Sequence, residues 1–151
     1  MTITVAFSTV ADSIAGLTIT GVTVKDIDQI PDNADLLGPI LFPQPNDFIT
    51  ELSVERMSFG GGGTAKMDMT YTLNYVYLHC AAGGNIGAFG AYSGIITNLA
   101  VIVTAILTND NISGPVDFEM QTVPSIGVID DPAGNQFWGA LLSFKVTEHT
   151  Q

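Results

Sequence analysis

Apolar residues recur along this chain with two different periods, and the switches between them mark its elements. Ile3, Phe7, Val10, Ile14 and Leu17 step by four, three, four and three residues, which lines them along one helical face. Gly16 is a natural stop, since glycine accepts the left-handed conformation that closes helices. The β-branched run Thr18 to Val24 predicts a strand, with Gly21 as a bulge. Phe48, Thr50, Leu52, Val54 and Arg56 then alternate with Ile49, Glu51, Ser53 and Glu55 in a second strand. Its return partner runs from about Lys66 to Cys80, with Tyr71, Leu73, Tyr75, Tyr77 and His79 on one face. A helical period returns at Phe89, Tyr92, Ile95, Ile96, Leu99, Ile102, Val103 and Ile106, and Asn109 ends it. Two strands follow, Val116 to Val123 and Gln136 to Glu148, separated by the turn Asp130-Asp131-Pro132-Ala133-Gly134-Asn135. In the last strand Trp138, Ala140, Leu142, Phe144 and Val146 share a face.

Between Asp26 and Asn46 neither period holds. Four prolines (Pro31, Pro39, Pro43, Pro45) punctuate this stretch, and proline removes a backbone donor. An extended surface connection is expected there rather than a sheet centre. Leu36, Leu37, Ile40, Leu41 and Phe42 nonetheless require burial, so it is no link between domains. The order α-β-β-β-α-β-β predicts an α+β fold: a mixed, largely antiparallel sheet, a short N-terminal helix, one long helix packed on a face, and a long protruding β-hairpin. Residues 1–151 are read as a single domain, a size that buries roughly 70% of the extended chain's surface.

Charge narrows the functional classes. Four basic and 15 acidic residues give a net charge of −11, which disfavours gripping nucleic acid or anionic lipid. Cys80 is the lone cysteine, so neither an intrachain disulfide nor a cysteine-built zinc site is available. The opening MTITVAFSTVADSIAG lacks a basic leader region and carries Asp12, so synthesis in the cytoplasm is expected. Ile86 to Leu107 is apolar and long enough to cross a membrane. It has no Lys or Arg at either end, and Ser93, Thr97, Ala100, Thr104 and Thr108 form a small or polar stripe. A helix packed on a sheet, its small-residue face touching a neighbour, is the expectation.

Each chemical constellation fails on a specific point. Phe59-Gly60-Gly61-Gly62-Gly63-Thr64-Ala65-Lys66 has the look of a phosphate loop, yet Met67 follows the lysine and the loop joins two strands. His79 and Cys80 are adjacent in a strand, where alternation sends neighbours to opposite faces. His149 lies near the terminus. Asp26 and Asp28 open like a calcium loop, but the later ligands are missing. Asp130 and Asp131 suit their turn. No catalytic, metal or cofactor residues are therefore assigned, and a non-enzymatic role is expected. What stands out is the hairpin tip, where Arg56, Met57, Phe59, Gly60, Gly61, Gly62, Gly63 and Lys66 concentrate two of the four basic residues at one apolar-edged loop. A tip of this kind suits contact with a neighbouring subunit.

The N-terminal amphipathic helix, proline-punctuated stretch, long hairpin, long helix (Phe89 to Leu107) and closing strand Phe137-Trp138-Gly139-Ala140-Leu141-Leu142-Ser143-Phe144-Lys145-Val146-Thr147-Glu148 together resemble the tail terminator, or tail completion, proteins of long-tailed bacteriophages. The likeness spans nearly the whole chain as element order and texture. It implies a homo-oligomeric ring, usually of six subunits, in the virion. That ring would cap the tail tube protein and join it to the head-side connector or stopper. DNA would pass without specific binding, and no membrane is involved. The hairpin, Met57 to Lys66, would be the inter-subunit or inter-ring contact, and Asp26, Asp28, Asp32 and Asp35 are candidates for an acidic lumen. Two other readings stand beside it. One is a different neck or tail-tube subunit. The other is a small ligand-binding or enzymatic α+β domain, with Tyr71, Tyr75, Tyr77 and His79 lining a pocket under the long helix.

Overall fold

The computed structural model describes residues 10, 12–26, 39–45, 47–56, 67–82, 88–108, 116–120, 125–130 and 133–149. Two long strands form its centre: β4 (Met67–Ala81) and β7 (Gln136–His149). They pair antiparallel from Asp68↔His149 to Ala81↔Phe137. Each is too long for one short partner to cover its outer edge, so two short strands sit end to end on each side. Along β4 these are β2 (Ile40–Pro43), opposite Tyr75 to Leu78, and β3 (Ile49–Arg56), opposite Met67 to Leu73. Along β7 they are β5 (Val116–Met120), opposite Phe144 to Glu148, and β6 (Ser125–Asp130), opposite Gln136 to Leu141. A two-residue β1 (Thr23–Val24) adds to β2 as the parallel pair of the sheet, giving seven strands. The fold is α+β, with a mixed and mostly antiparallel sheet.

Two helices complete it. The described part of α1 is residues 10 and 12–15. The long α2 (Ala88–Leu107) lies over β4, β7 and β5. Its buried positions Ala91, Ile95, Leu99, Ile102 and Ile106 keep the helical spacing and meet Tyr71, Leu73, Tyr75 and Tyr77 of β4 and Ala140, Leu142, Phe144 and Val146 of β7. Val10 and Ile14 of α1 join the same core. Inside it Phe48, Tyr75 and Phe144 stack edge to face, with ring centroids 5.5 and 6.4 Å apart. Each such pair contributes about 0.5–1.5 kcal/mol beyond the area it buries. On the sheet's other face Ile40, Phe42, Val76, Leu78 and Phe137 form a smaller cluster.

Four local expectations change. The proline-flanked segment holds β2, a strand inside the sheet between β1 and β4, with all four residues buried. Pro39 precedes it and Pro43 ends it, where the missing donor costs little. Gly21 is not a bulge but the positive-φ residue (φ 81°) of a tight turn closed by Val22 N–H donating to the Ile19 carbonyl. The expected strand Thr18–Val24 shrinks accordingly to β1. Finally, β6 occupies a stretch for which no strand is expected, because the run Ser125-Ile126-Gly127-Val128 is short and interrupted by a glycine.

Bulges set where the sheet bends. In β3 the register slips between Thr50 and Ser53, and Glu51 takes a left-handed φ of 56°. In β4 the slip falls between Leu78 and Cys80, leaving His79 as the extra residue. Opposite that second bulge the backbones approach so closely that a Cβ on Gly139 would lie 2.0 Å from the Tyr77 carbonyl oxygen. Gly139→Ala should therefore cost about 1–3 kcal/mol, as overpacking against unyielding backbone does. Gly127→Ala, where a Cβ meets nothing within 4 Å, should be neutral. Thermal denaturation of the two variants beside the parent measures the difference, and equal midpoints would show that the bulge can relax.

Candidate functional site

The polar groups between the sheet and α2 are tied to one another. Asn98 of α2 donates its Nδ2–H to the Tyr77 hydroxyl at 2.7 Å. That hydroxyl lies 2.6 Å from His79 Nδ1. A hydroxyl that accepts from Asn98 has its one proton free for Nδ1, so His79 is held as the tautomer with hydrogen on Nε2. The imidazole edge then packs on α2 at Gly94, where a Cβ would stand 2.7 Å from Nε2. Cys80 packs against the same core, so the bulge overrides the alternation expected for His79 and Cys80 and turns both toward the helix side. Burial lowers the His79 pKa and raises those of the Cys80 thiol and Tyr77 phenol. The thiol is thus kept protonated and the imidazole neutral, a combination that suits packing rather than nucleophilic attack. The cluster fastens α2 to β4.

A second polar group lies toward the other end of β4. Glu148 is 6% exposed and sits diagonally across the strand pair from Tyr71. Burial raises the Glu148 pKa, while burial and the Glu148 charge push the Tyr71 phenol far above its usual range. Carboxylate Oε2 has no hydrogen-bond partner among the described residues. Tyr75 is likewise pushed up by burial, with the Asp26 charge adding to it. Tyr71, Tyr75 and Tyr77 are fully buried. They fill the space in which a pocket under α2 was an alternative expectation. Among the described residues no three His, Cys, Asp or Glu side chains gather as a metal site.

The expected subunit-contact residues fall mainly outside the described residues. Met57, Phe59, Gly60 to Gly63 and Lys66 do so entirely, and so do Asp28, Asp32 and Asp35 of the acidic set. The backbone of Arg56 pairs with Met67 at the loop end of the β3–β4 hairpin. Asp26 is half-buried beside β1.

The described surface instead exposes apolar side chains that periodicity alone assigns to the core. Tyr92 is 55% exposed and Ile96 44% exposed, and both lie on the outer side of α2. Ser93, Thr97, Ala100, Thr104 and Thr108 share that outer surface. Two of its hydroxyls are already used: Thr97 donates to the Ser93 carbonyl and Thr108 to that of Thr104. Such back-bonding leaves a helix surface less polar than its composition suggests. Only 28% of the residues from Gly90 to Leu107 are buried, although this stretch has the length and hydropathy of a membrane span. Between α2 and the β5–β6 edge runs an open groove of about 520 Å³, lined by Tyr92, Ile96, Leu99, Val103, Met120 and Ile126 among others. On the opposite sheet edge β3 bares Ile49, Leu52 and Val54. The missed signal was width: α2 is apolar around more of its circumference than one sheet can cover.

Two pH effects follow from the buried groups. The folded pKa of His79 lies below its unfolded value of about 6.5, so its share of stability is present above that pH and lost as pH falls through the folded value. Urea midpoints measured from pH 8 to pH 5 should fall less for His79→Gln than for the parent. Parallel curves would remove His79 from the pH response. Glu148 has the opposite sign: its raised pKa favours the fold below about pH 4.5 and the benefit is lost as pH rises through the folded value. Glu148→Gln should therefore raise the thermal midpoint at pH 8 and leave it nearly unchanged at pH 4. A lower midpoint at pH 8 would show that the charge is compensated in the fold. No protein-family model matches this chain, and no curated protein matches it.

Proposed function

We propose that this chain is a structural virion subunit. It forms a closed ring at the head-proximal end of a phage tail tube, ends tube growth, and joins the tail to the head-side neck while DNA passes through. The observation that carries this reading is the uncovered apolar outer surface of α2, free of charge along its whole length in a protein of net charge −11. An exposed apolar patch rimmed by polar surface marks a site of association. The polar clusters beneath it support a scaffold, since Tyr77, His79 and Asn98 spend their hydrogen bonds on one another. The acidic excess supports a lumen that repels rather than binds a polyanion. Tail tube protein and head-side connector are the implied partners, and the residues beyond β3 in the hairpin are the candidate contact.

The purified protein, examined by light scattering and negative-stain imaging across a concentration series, tests the reading. Closed rings with a hole wide enough for duplex DNA are expected. Open tubes that lengthen with concentration would assign it to the tail tube instead. A protein that stays monomeric at every concentration, and alone or with isolated tail tubes forms no cap, would overturn the ring.

A further inference from the structure

The sheet extends past α2 at the β3 edge, and α2 is more apolar than the sheet beneath it buries. On the helix side of β3, Ile49 stands opposite Leu73 and Val54 opposite Met69, both core-facing residues of β4. Ile49 and Val54 therefore point to the same side as the core. Yet they are 37% and 45% exposed, with Leu52 between them at 53%, while α2 lies over β4, β7 and β5. At the other edge of the sheet the groove beside α2 is open, with Met120 of β5 and Ile126 of β6 as its floor. One edge thus carries an apolar ridge that stays exposed. The other carries a helix with an apolar side and no ridge beneath it.

Charge follows the same division. Glu51 accepts a hydrogen bond from Thr72 on the face away from α2. Glu55, and Asp117 and Glu119 of β5, alternate onto that same face, opposite Asp68, Thr147 and Lys145. The groove lining contains no charged residue. Copies that each carry −11 repel one another unless acid-free surfaces meet. Ridge and groove carry no acid, and Asp130 lies beyond the groove lining at the end of β6.

We propose that the occupant of the groove is β3 of a second copy. The apolar row Ile49, Leu52 and Val54 of one subunit seats against Tyr92, Ile96 and Ile126 of the next, so that the neighbour's α2 completes the cover of β3. The two surfaces are different and lie on opposite edges, so the contact is heterologous. It repeats head to tail, and closes only as a ring. Among the described residues the outer edges of β3, β5 and β6 have no strand partner, which leaves backbone groups for the same junction. This inference rests on the ring reading and supplies its interface.

Site-specific cross-linking tests it in the full chain. In a Cys80→Ala background, Leu52→Cys and Ile96→Cys are made separately and mixed during assembly. A short bismaleimide should join the mixture into covalent dimers and leave each variant alone uncrosslinked. The double variant should give a ladder ending at the ring size. Ile96→Arg, at an exposed position, should keep the parent's circular dichroism and thermal midpoint but lose assembly by at least tenfold in concentration. Rings that form without the mixed cross-link, or Ile96→Cys joining to itself, overturn the seating and leave the ring intact. Normal assembly by folded Ile96→Arg does the same. A parent that never assembles, alone or on tail tubes, overturns both, and saturable binding of an apolar dye by such a monomer assigns the groove to a small ligand.

Discussion

Pairing of β4 with β7 is the constraint on which the other elements depend. Both strands run well past the length that a single short neighbour can satisfy, and their unpaired outer edges must find backbone partners. Short strands laid end to end meet that demand on each side, β2 with β3 and β5 with β6. The register also decides the core. Tyr71, Leu73, Tyr75 and Tyr77 fall beside Val146, Phe144, Leu142 and Ala140, and a slip of one residue would turn every one of them to the other face. Asn74 reinforces the register from the polar side. It donates to the Asp47 carbonyl and the Thr50 hydroxyl and accepts from Ser143, tying β3, β4 and β7 together.

The bulge at His79 is where that register is broken to useful effect. It lets the strand bend opposite Gly139 and brings an imidazole to the only kind of helix position that admits it, a glycine. Tyr77, His79 and Asn98 then fix the height and rotation of α2 by directional bonds, which apolar packing alone leaves looser. The buried Glu148 near the far end of the strand pair works against stability at neutral pH. The two polar groups thus load the sheet with opposite dependence on pH. A rigid plate carrying a firmly seated helix is a suitable part for an assembly whose function is geometric.

The proposed role is carried by surfaces rather than by a reacting site. Burial of apolar area is non-directional, so an incomplete layer will take cover from whatever fits. What confines the choice here is the separation of polarity on β3 and β5: their acids lie on the face away from α2, and the aliphatic side chains of β3 on the other. In the proposed ring, specificity for a like-charged neighbour would come from that segregation, because a misaligned approach brings carboxylates together.

Much of the fold is legible in the residues themselves. Alternation marks β3, β4 and β7 because apolar side chains gather on one face of each, and period 2 is a property of the backbone. The long helix follows from the helical spacing of Phe89, Tyr92, Ile95, Ile96, Leu99, Ile102, Val103 and Ile106. β2 is hidden because its prolines forbid ladder bonds only at its ends, while its four residues are buried on both faces and show no alternation. β6 is hidden because its exposed edge position asks little of its side chains. The failure of the histidine and thiol as a reactive pair is likewise tertiary, since the bulge and Gly94 decide where those side chains point. The sequence by itself determined the long helix and the strands β3, β4 and β7, how acidic the chain is, and that reactive side chains are few. Only the tertiary structure decided that Tyr92 and Ile96 remain outside while Ile95 and Leu99 go in. A helix apolar through most of its turn has no preferred face until a sheet of finite width covers one side of it.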